Sequence, residues 1–289
     1  MNRLDSKFFR LSLVRCRRYS APVRLLIFAV LLLLMWLPIA LPLHWLIRDS
    51  NLASIVTLVI LYFQFLWLVR WWGKAVHRQS RILWVYGLEI SQRILLELLL
   101  GLAIGLVSVS LLIGVESGLG WVTWSQPSAT FPRIVLEGLL VSVAIGFAEE
   151  LLFRGWVLDE LQRDYAPIVV LWANAIIFAT LHLRLVIVPA MVLLGVALVW
   201  AKRSSHETFL GKRRDRLGLP IGLHAGLVWG NYILEVGKLI QYTGNVPAWV
   251  TGLDRNPLAG VIGVLFMGGL ALGMWQFAKR SPFHPIAKR

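Results

Sequence analysis

From residue 25 to residue 47 the chain runs without a single Asp, Glu, Lys or Arg, and comparable apolar stretches recur to the C-terminal end. A membrane-spanning helix needs about 20 such residues. In lipid every backbone N–H and C=O must be satisfied internally, so chains of this kind fold as helix bundles or closed barrels. The apolar runs here are too long for barrel strands. We read an all-α, polytopic transmembrane helix bundle of about eight spans, at roughly 25–47, 51–69, 94–116, 134–157, 167–183, 185–201, 217–237 and 258–277. Pro38 and Pro42 are expected to bend the first span, and Pro189 the sixth. The basic N-terminus and the long first run point to a retained span, not a removed signal peptide.

Composition supports this class. The chain is 58% hydrophobic and 15% charged, with a mean hydropathy of +0.72, whereas soluble domains are nearer half apolar and a quarter charged. A net charge of +14 would suggest nucleic acid in a soluble protein. Here the basic residues sit in short loops beside apolar runs, which fits orientation and anionic lipid headgroups and argues against nucleic acid. Lys and Arg crowd the N-terminus (Arg3, Lys7, Arg10, Arg15, Arg17, Arg18, Arg24), the second loop (Arg70, Lys74, Arg78, Arg81, Arg93), the sixth loop (Lys202, Arg203, Lys212, Arg213, Arg214, Arg216) and the tail (Lys279, Arg280, Lys288, Arg289). Alternate loops hold little beyond Arg48, Arg133, Arg184, Lys238 and Arg255. The bias places both termini in the cytoplasm. Many tryptophans flank apolar runs and read as interfacial anchors, and the loop at 70–93 is long enough for an interfacial helix anchored by Trp71, Trp72, Trp84 and Tyr86. The one cysteine, Cys16, excludes an intramolecular disulfide and a cysteine zinc cluster. Its neighbours Arg15, Arg17 and Arg18 are compatible with palmitoylation, but an inert thiol is the better reading.

The chain divides into a basic cytoplasmic segment (1–24), N-terminal spans with an interfacial loop (25–133), a core (134–237), and a last loop, span and basic tail (238–289). The core breaks the apolar rule. Phe147-Ala-Glu149-Glu150-Leu-Leu-Phe-Arg154 sets two carboxylates and an arginine in a membrane helix. Each charge costs roughly 2.5–3.5 kcal/mol at a helix centre. Arg154 stands at i+4 from Glu150 and can offset part of that cost by pairing. Glu149 is turned by roughly 100° and has no equivalent local partner. A carboxylate without a counter-charge in low dielectric is a stronger base than one in water, which makes Glu149 the candidate general base.

Two further sites follow. Phe178-x-x-x-His182 puts an aromatic and a histidine one turn apart on the fifth span. His224 opens the seventh span after Pro220, with Asn231 on the same helix face. Gly222, Ala225, Gly226 and Gly230 surround His224 and permit close helix approach. A lone membrane histidine is often a packing residue, a Glu–Arg pair can be structural, and an Asn is commonly interhelical glue. Two Glu, one Arg and two His in three consecutive parts of one bundle exceed what packing requires. A desolvated Glu and a neutral His can share one water, and a second His can donate to an oxyanion. Counted along the helices, His182 falls nearer the outer face than Glu149 and His224, so helix tilt has to bring them together.

Glu149-Glu150-x-x-x-Arg154, Phe178-x-x-x-His182 and the His224 helix, in that order, resemble the type II CAAX prenyl endopeptidase and bacteriocin-processing (CPBP, or Abi) family of intramembrane proteases. The resemblance covers about residues 134–235. It implies an eight-helix bundle and an endopeptidase acting on a membrane-associated peptide or protein, of CAAX type or related. It also implies that Glu149 and His182 activate a water, that Glu150 and Arg154 support them, and that His224 stabilises the oxyanion. The family is labelled metalloprotease, although a metal-free glutamate mechanism is also argued for it. There is no HExxH signature, but His182, His224 and Glu149 could hold zinc with an open position. One position departs: the family's third motif has Asn or Asp four residues after its His, and here that residue is Val228. Asn231, one turn further along, is the substitute on offer. Two other functions compete. A catalytically inactive relative acting as membrane scaffold or chaperone is favoured by Val228. A proton-coupled transporter would use Glu and His as a relay, but the first two spans are poor in polar residues and no internal repeat is visible.

Overall fold

A computed structural model describes residues 16–209, 212–253 and 256–280. The chain forms two compact units, Met1–Val85 with Trp156–Tyr165, and Tyr86–Gly155 with Ala166–Arg289. Most of the basic N-terminal segment and tail, which carry the expectation of cytoplasmic termini, lie outside the described residues.

In the first unit, α1 (Ala21–Leu46) and α2 (Ser50–Ala75) are joined by a short turn whose Asp49 caps α2, accepting from the Asn51 and Leu52 amides. Trp36 Nε1 donates to the Thr57 carbonyl and Gln64 to the Met35 carbonyl, so polar groups in both helices find partners inside the unit. The unit is organised around Glu160, on the short helix α6 (Leu158–Gln162), and that carboxylate is fully buried. Arg24 Nε donates to it at 2.6 Å, Trp72 Nε1 at 2.9 Å, and His77 Nε2 lies 2.6 Å away. Burial pushes this carboxyl up, but the bonds from His77, Arg24 and Trp72 outweigh that and hold it down at about 2. Sequence reading assigned Arg24 to the basic N-terminal segment; α1 starts earlier, and Arg24 is buried. Trp72, expected as an interfacial anchor, is a core residue bonded to Glu160, and Tyr86 is buried as well. The loop after α2 holds a single helical turn, Ile82–Val85, in place of an interfacial helix.

The second unit contains α4 (Gln92–Gly118), α5 (Phe131–Glu150), α7 (Pro167–Thr180), α8 (Val188–Ser204), α9 (Gly218–Val236) and α11 (Val261–Arg280). The short helices Ile82–Val85, Leu158–Gln162 and Ala248–Thr251 are α3, α6 and α10. Glycines set the spacing at the centre. A Cβ on Gly101 or Gly105 of α4 would strike the backbone of α9 at Gly222 and Gly226, and one on Gly146 of α5 would strike Ile221 and Ala225. Side chains are absent where the three helices meet, so their backbones approach closely around His224. A two-stranded ribbon, β1 (Val122–Trp124) with β4 (Ile240–Tyr242), and a hairpin, β2 (His206–Phe209) with β3 (Lys212–Asp215), join helix ends.

Helices occur at each of the apolar segments read from sequence. Among the described residues, five are long and apolar enough to cross a membrane: Ala21–Leu46, Ser50–Ala75, Gln92–Gly118, Leu185–Ser204 and Val261–Arg280. Pro189 lies in the first turn of α8 and starts that helix instead of bending it. In the sixth loop, Arg214 and Arg216 are buried against Glu89 and Glu97, Lys202 bonds the Arg154 carbonyl and Arg203 the Pro167 carbonyl. These cations are fixed within the fold, so the loop's charge is only partly available to orient the chain or meet lipid.

Candidate active site

Glu149 and Glu150 are the last residues of α5, and the helix then widens into a π-turn over Leu151–Val157. Such a turn spoils the ordinary i→i−4 ladder and is found frequently at functional sites. Two of its carbonyls are met from neighbouring helices. Asn174 Nδ2 of α7 donates to Phe153 O at 2.8 Å, and Lys202 Nζ of α8 donates to Arg154 O at 2.6 Å. Both side chains are buried.

Within that turn Arg154 points back to Glu150. Nη1 donates to Glu150 Oε1 at 2.9 Å and Nη2 to Gly195 O at 3.2 Å, while the guanidinium lies 4.2 Å from the Phe178 ring centre. Both charged groups are fully buried. A buried pair withstands its desolvation only with such further bonds, and the carbonyl and the aromatic face supply them.

The histidines are oriented from behind. α7 ends at Thr180, so His182 stands in the turn after the helix and not on the face of a continuing span. Its Nδ1 lies 2.8 Å from Phe178 O. A carbonyl can only accept, so Nδ1 carries the hydrogen. His224 of α9 places Nδ1 2.9 Å from Glu150 Oε1, again an acceptor. In both neutral rings Nε2 is therefore the bare nitrogen. Both nitrogens face one atom: Glu149 Oε2 is 3.7 Å from His182 Nε2 and 3.9 Å from His224 Nε2. Those separations exceed a direct hydrogen bond and match what one water can bridge. Three lone-pair-bearing atoms converge, an arrangement suited to a group with hydrogens to donate or to a cation. Glu149 is 31% exposed and His182 25%, against 5% for His224, so the site is approached from the Glu149 and His182 side. Phe178 packs edge-on against His182, His224 and Phe153, with ring centres 4.6, 5.8 and 5.1 Å apart.

The structure thus gathers Glu149, Glu150, Arg154, His182 and His224. The turn after α7 removes the depth mismatch expected for His182. Asn231 is not gathered: its Nδ2 donates to Leu227 O of its own helix. Asn174 and Lys202 were missed. Asn174 had a legible signal, as a polar residue one turn before Phe178 in an apolar helix; Lys202 read only as loop charge.

Zinc would require these donors to draw together by a few tenths of an ångström. The donor types suit it, but ligands about 2.0–2.2 Å from a tetrahedral zinc sit about 3.4 Å from each other, closer than these atoms. Among the described residues no group of three His, Cys, Asp or Glu side chains is placed to hold a metal ion.

Residues 131–230, which span α5 to α9 and contain every member of this cluster, match the family model described as Type II CAAX prenyl endopeptidase Rce1-like. No curated protein and no solved structure matches the chain. The long apolar helices and the match together make this an integral, multi-pass membrane protein. Over residues 131–230 the chain is therefore similar to the type II CAAX prenyl endopeptidases, the family its motifs resemble.

Proposed function

We propose that the chain is an intramembrane endopeptidase that hydrolyses a peptide bond in a membrane-associated peptide or protein, of CAAX type or related. The observation that carries this reading is the convergence of both imidazole Nε2 atoms on Glu149 Oε2. A water held there donates to Glu149 and to one imidazole. As its oxygen attacks the substrate carbonyl carbon, one proton passes to Glu149. His224 enters the cycle as the imidazolium, its second proton taken up from solvent. It donates from Nε2 to the oxyanion while its Nδ1 stays on Glu150, whose charge stabilises the imidazolium much as a triad carboxylate does; it keeps both hydrogens when the intermediate collapses. Arg154 holds Glu150 in place and supplies its counter-charge. Collapse of the intermediate breaks the C–N bond, and the proton on Glu149 leaves with the amine. No step needs a metal, so turnover is expected to persist in strong chelator. The basic segments flanking the spans meet anionic headgroups.

A second reading, a catalytically inactive scaffold for membrane-protein clients, is favoured by Val228 in place of the amide and by Asn231 bonding its own helix. Comparing peptide termini across the proteome of cells with the wild-type chain and with Glu149→Gln separates the two. New termini that depend on Glu149 are expected for the enzyme, and their absence supports the scaffold.

A further inference from the structure

The π-turn that follows Glu150 is held by two residues that touch none of the reacting groups. Phe153 O and Arg154 O are consecutive carbonyls at the middle of the turn, and each accepts a side-chain donor from a different helix, Asn174 of α7 and Lys202 of α8. Both donors are buried, so replacing either with an apolar side chain leaves a buried carbonyl without that bond. The turn also carries Arg154, whose guanidinium fixes Glu150 and through it the His224 ring. The same two helices contribute the remaining contacts to that guanidinium, Phe178 from α7 and Gly195 O from α8. Backbone and side chain of Arg154 are thus clamped by one pair of helices.

We propose that Asn174 and Lys202 are positioning residues: they keep the turn in its π form, and so set the direction from which Arg154 holds Glu150 and Glu150 holds His224. This rests on the protease reading for its effect on rate, but not for its effect on the turn.

The test uses purified full-length chain in lipid with Lys202→Met and Asn174→Leu, read by turnover of a prenylated CAAX peptide and by amide hydrogen exchange over residues 151–158. Both variants are expected to lower kcat by about 10–100-fold, with KM within about twofold, and to exchange faster in that segment alone. Lys202→Arg, which keeps a donor at that place, is expected to fold and to hold kcat within about threefold. It stands in should Lys202→Met fail to accumulate, and a Lys202→Arg protein that is folded but lacks the protected segment counts against the proposal. Variants with wild-type kcat and unchanged exchange would overturn it, as would losses that only follow the folded fraction. A wild-type protein that cleaves nothing, with faster exchange in the variants, would remove the protease reading and leave the role in the turn standing.

Discussion

His224 gives its Nδ1 hydrogen to Glu150, 2.9 Å away, and in doing so turns its Nε2 toward Glu149. Adjacent carboxylates on one helix therefore have different tasks. Glu150 faces inward to Arg154 and His224, and Glu149 faces the partly open side of the cluster.

Glu150→Gln tests that division. The change strands Arg154 without its counter-charge in a fully buried place, and breaking a buried pair in this way costs about 3–5 kcal/mol. We expect poor accumulation and a lowered melting temperature, unlike Glu149→Gln. Equal stability of the two variants would contradict the assignment.

Val228→Asn tests the missing amide. Loss of one oxyanion donor costs about 10²–10³ in rate elsewhere, so restoring it is expected to raise kcat several-fold or more, with little effect on KM. A fall in kcat would show that Val228 is required where it stands.

The Glu160 cluster predicts an acid dependence. Its carboxyl is held down at about 2 in the fold, against about 4.3 in an unfolded chain. The stabilisation is therefore complete above about pH 4.5 and is lost as pH falls toward 2. Melting followed between pH 6 and pH 3 should show wild-type stability falling through that window, and Glu160→Gln less stable throughout but with a flatter acid limb. Parallel curves would contradict it.

Helix positions and the five-residue cluster were legible because apolar length and motif spacing are local. Three things were not. The π-turn has no sequence period of its own, so a regular i, i+4 helix was the default at Glu150 and Arg154. Arg24, Lys202, Arg214 and Arg216 read as solvated loop charge because their acceptors lie far along the chain, on Glu160, Arg154 O, Glu89 and Glu97. Trp72 read as an anchor because its partner, Glu160, is equally distant in sequence.

With those cations buried, fewer charges are left to orient the chain. From the remaining Lys and Arg bias we expect both termini on the cytoplasmic side, with the loops around 117–133 and 238–257 opposite. Reporter fusions placing the two termini on different sides would overturn the eight-span arrangement.

The most direct measurement is turnover of a prenylated CAAX peptide by purified wild-type and Glu149→Gln protein in lipid, alongside peptide binding. The substitution preserves shape and removes the base, so kcat should fall by about 10²–10⁴ while binding is kept. A Glu149→Gln protein that cleaves as fast as wild type would contradict the account.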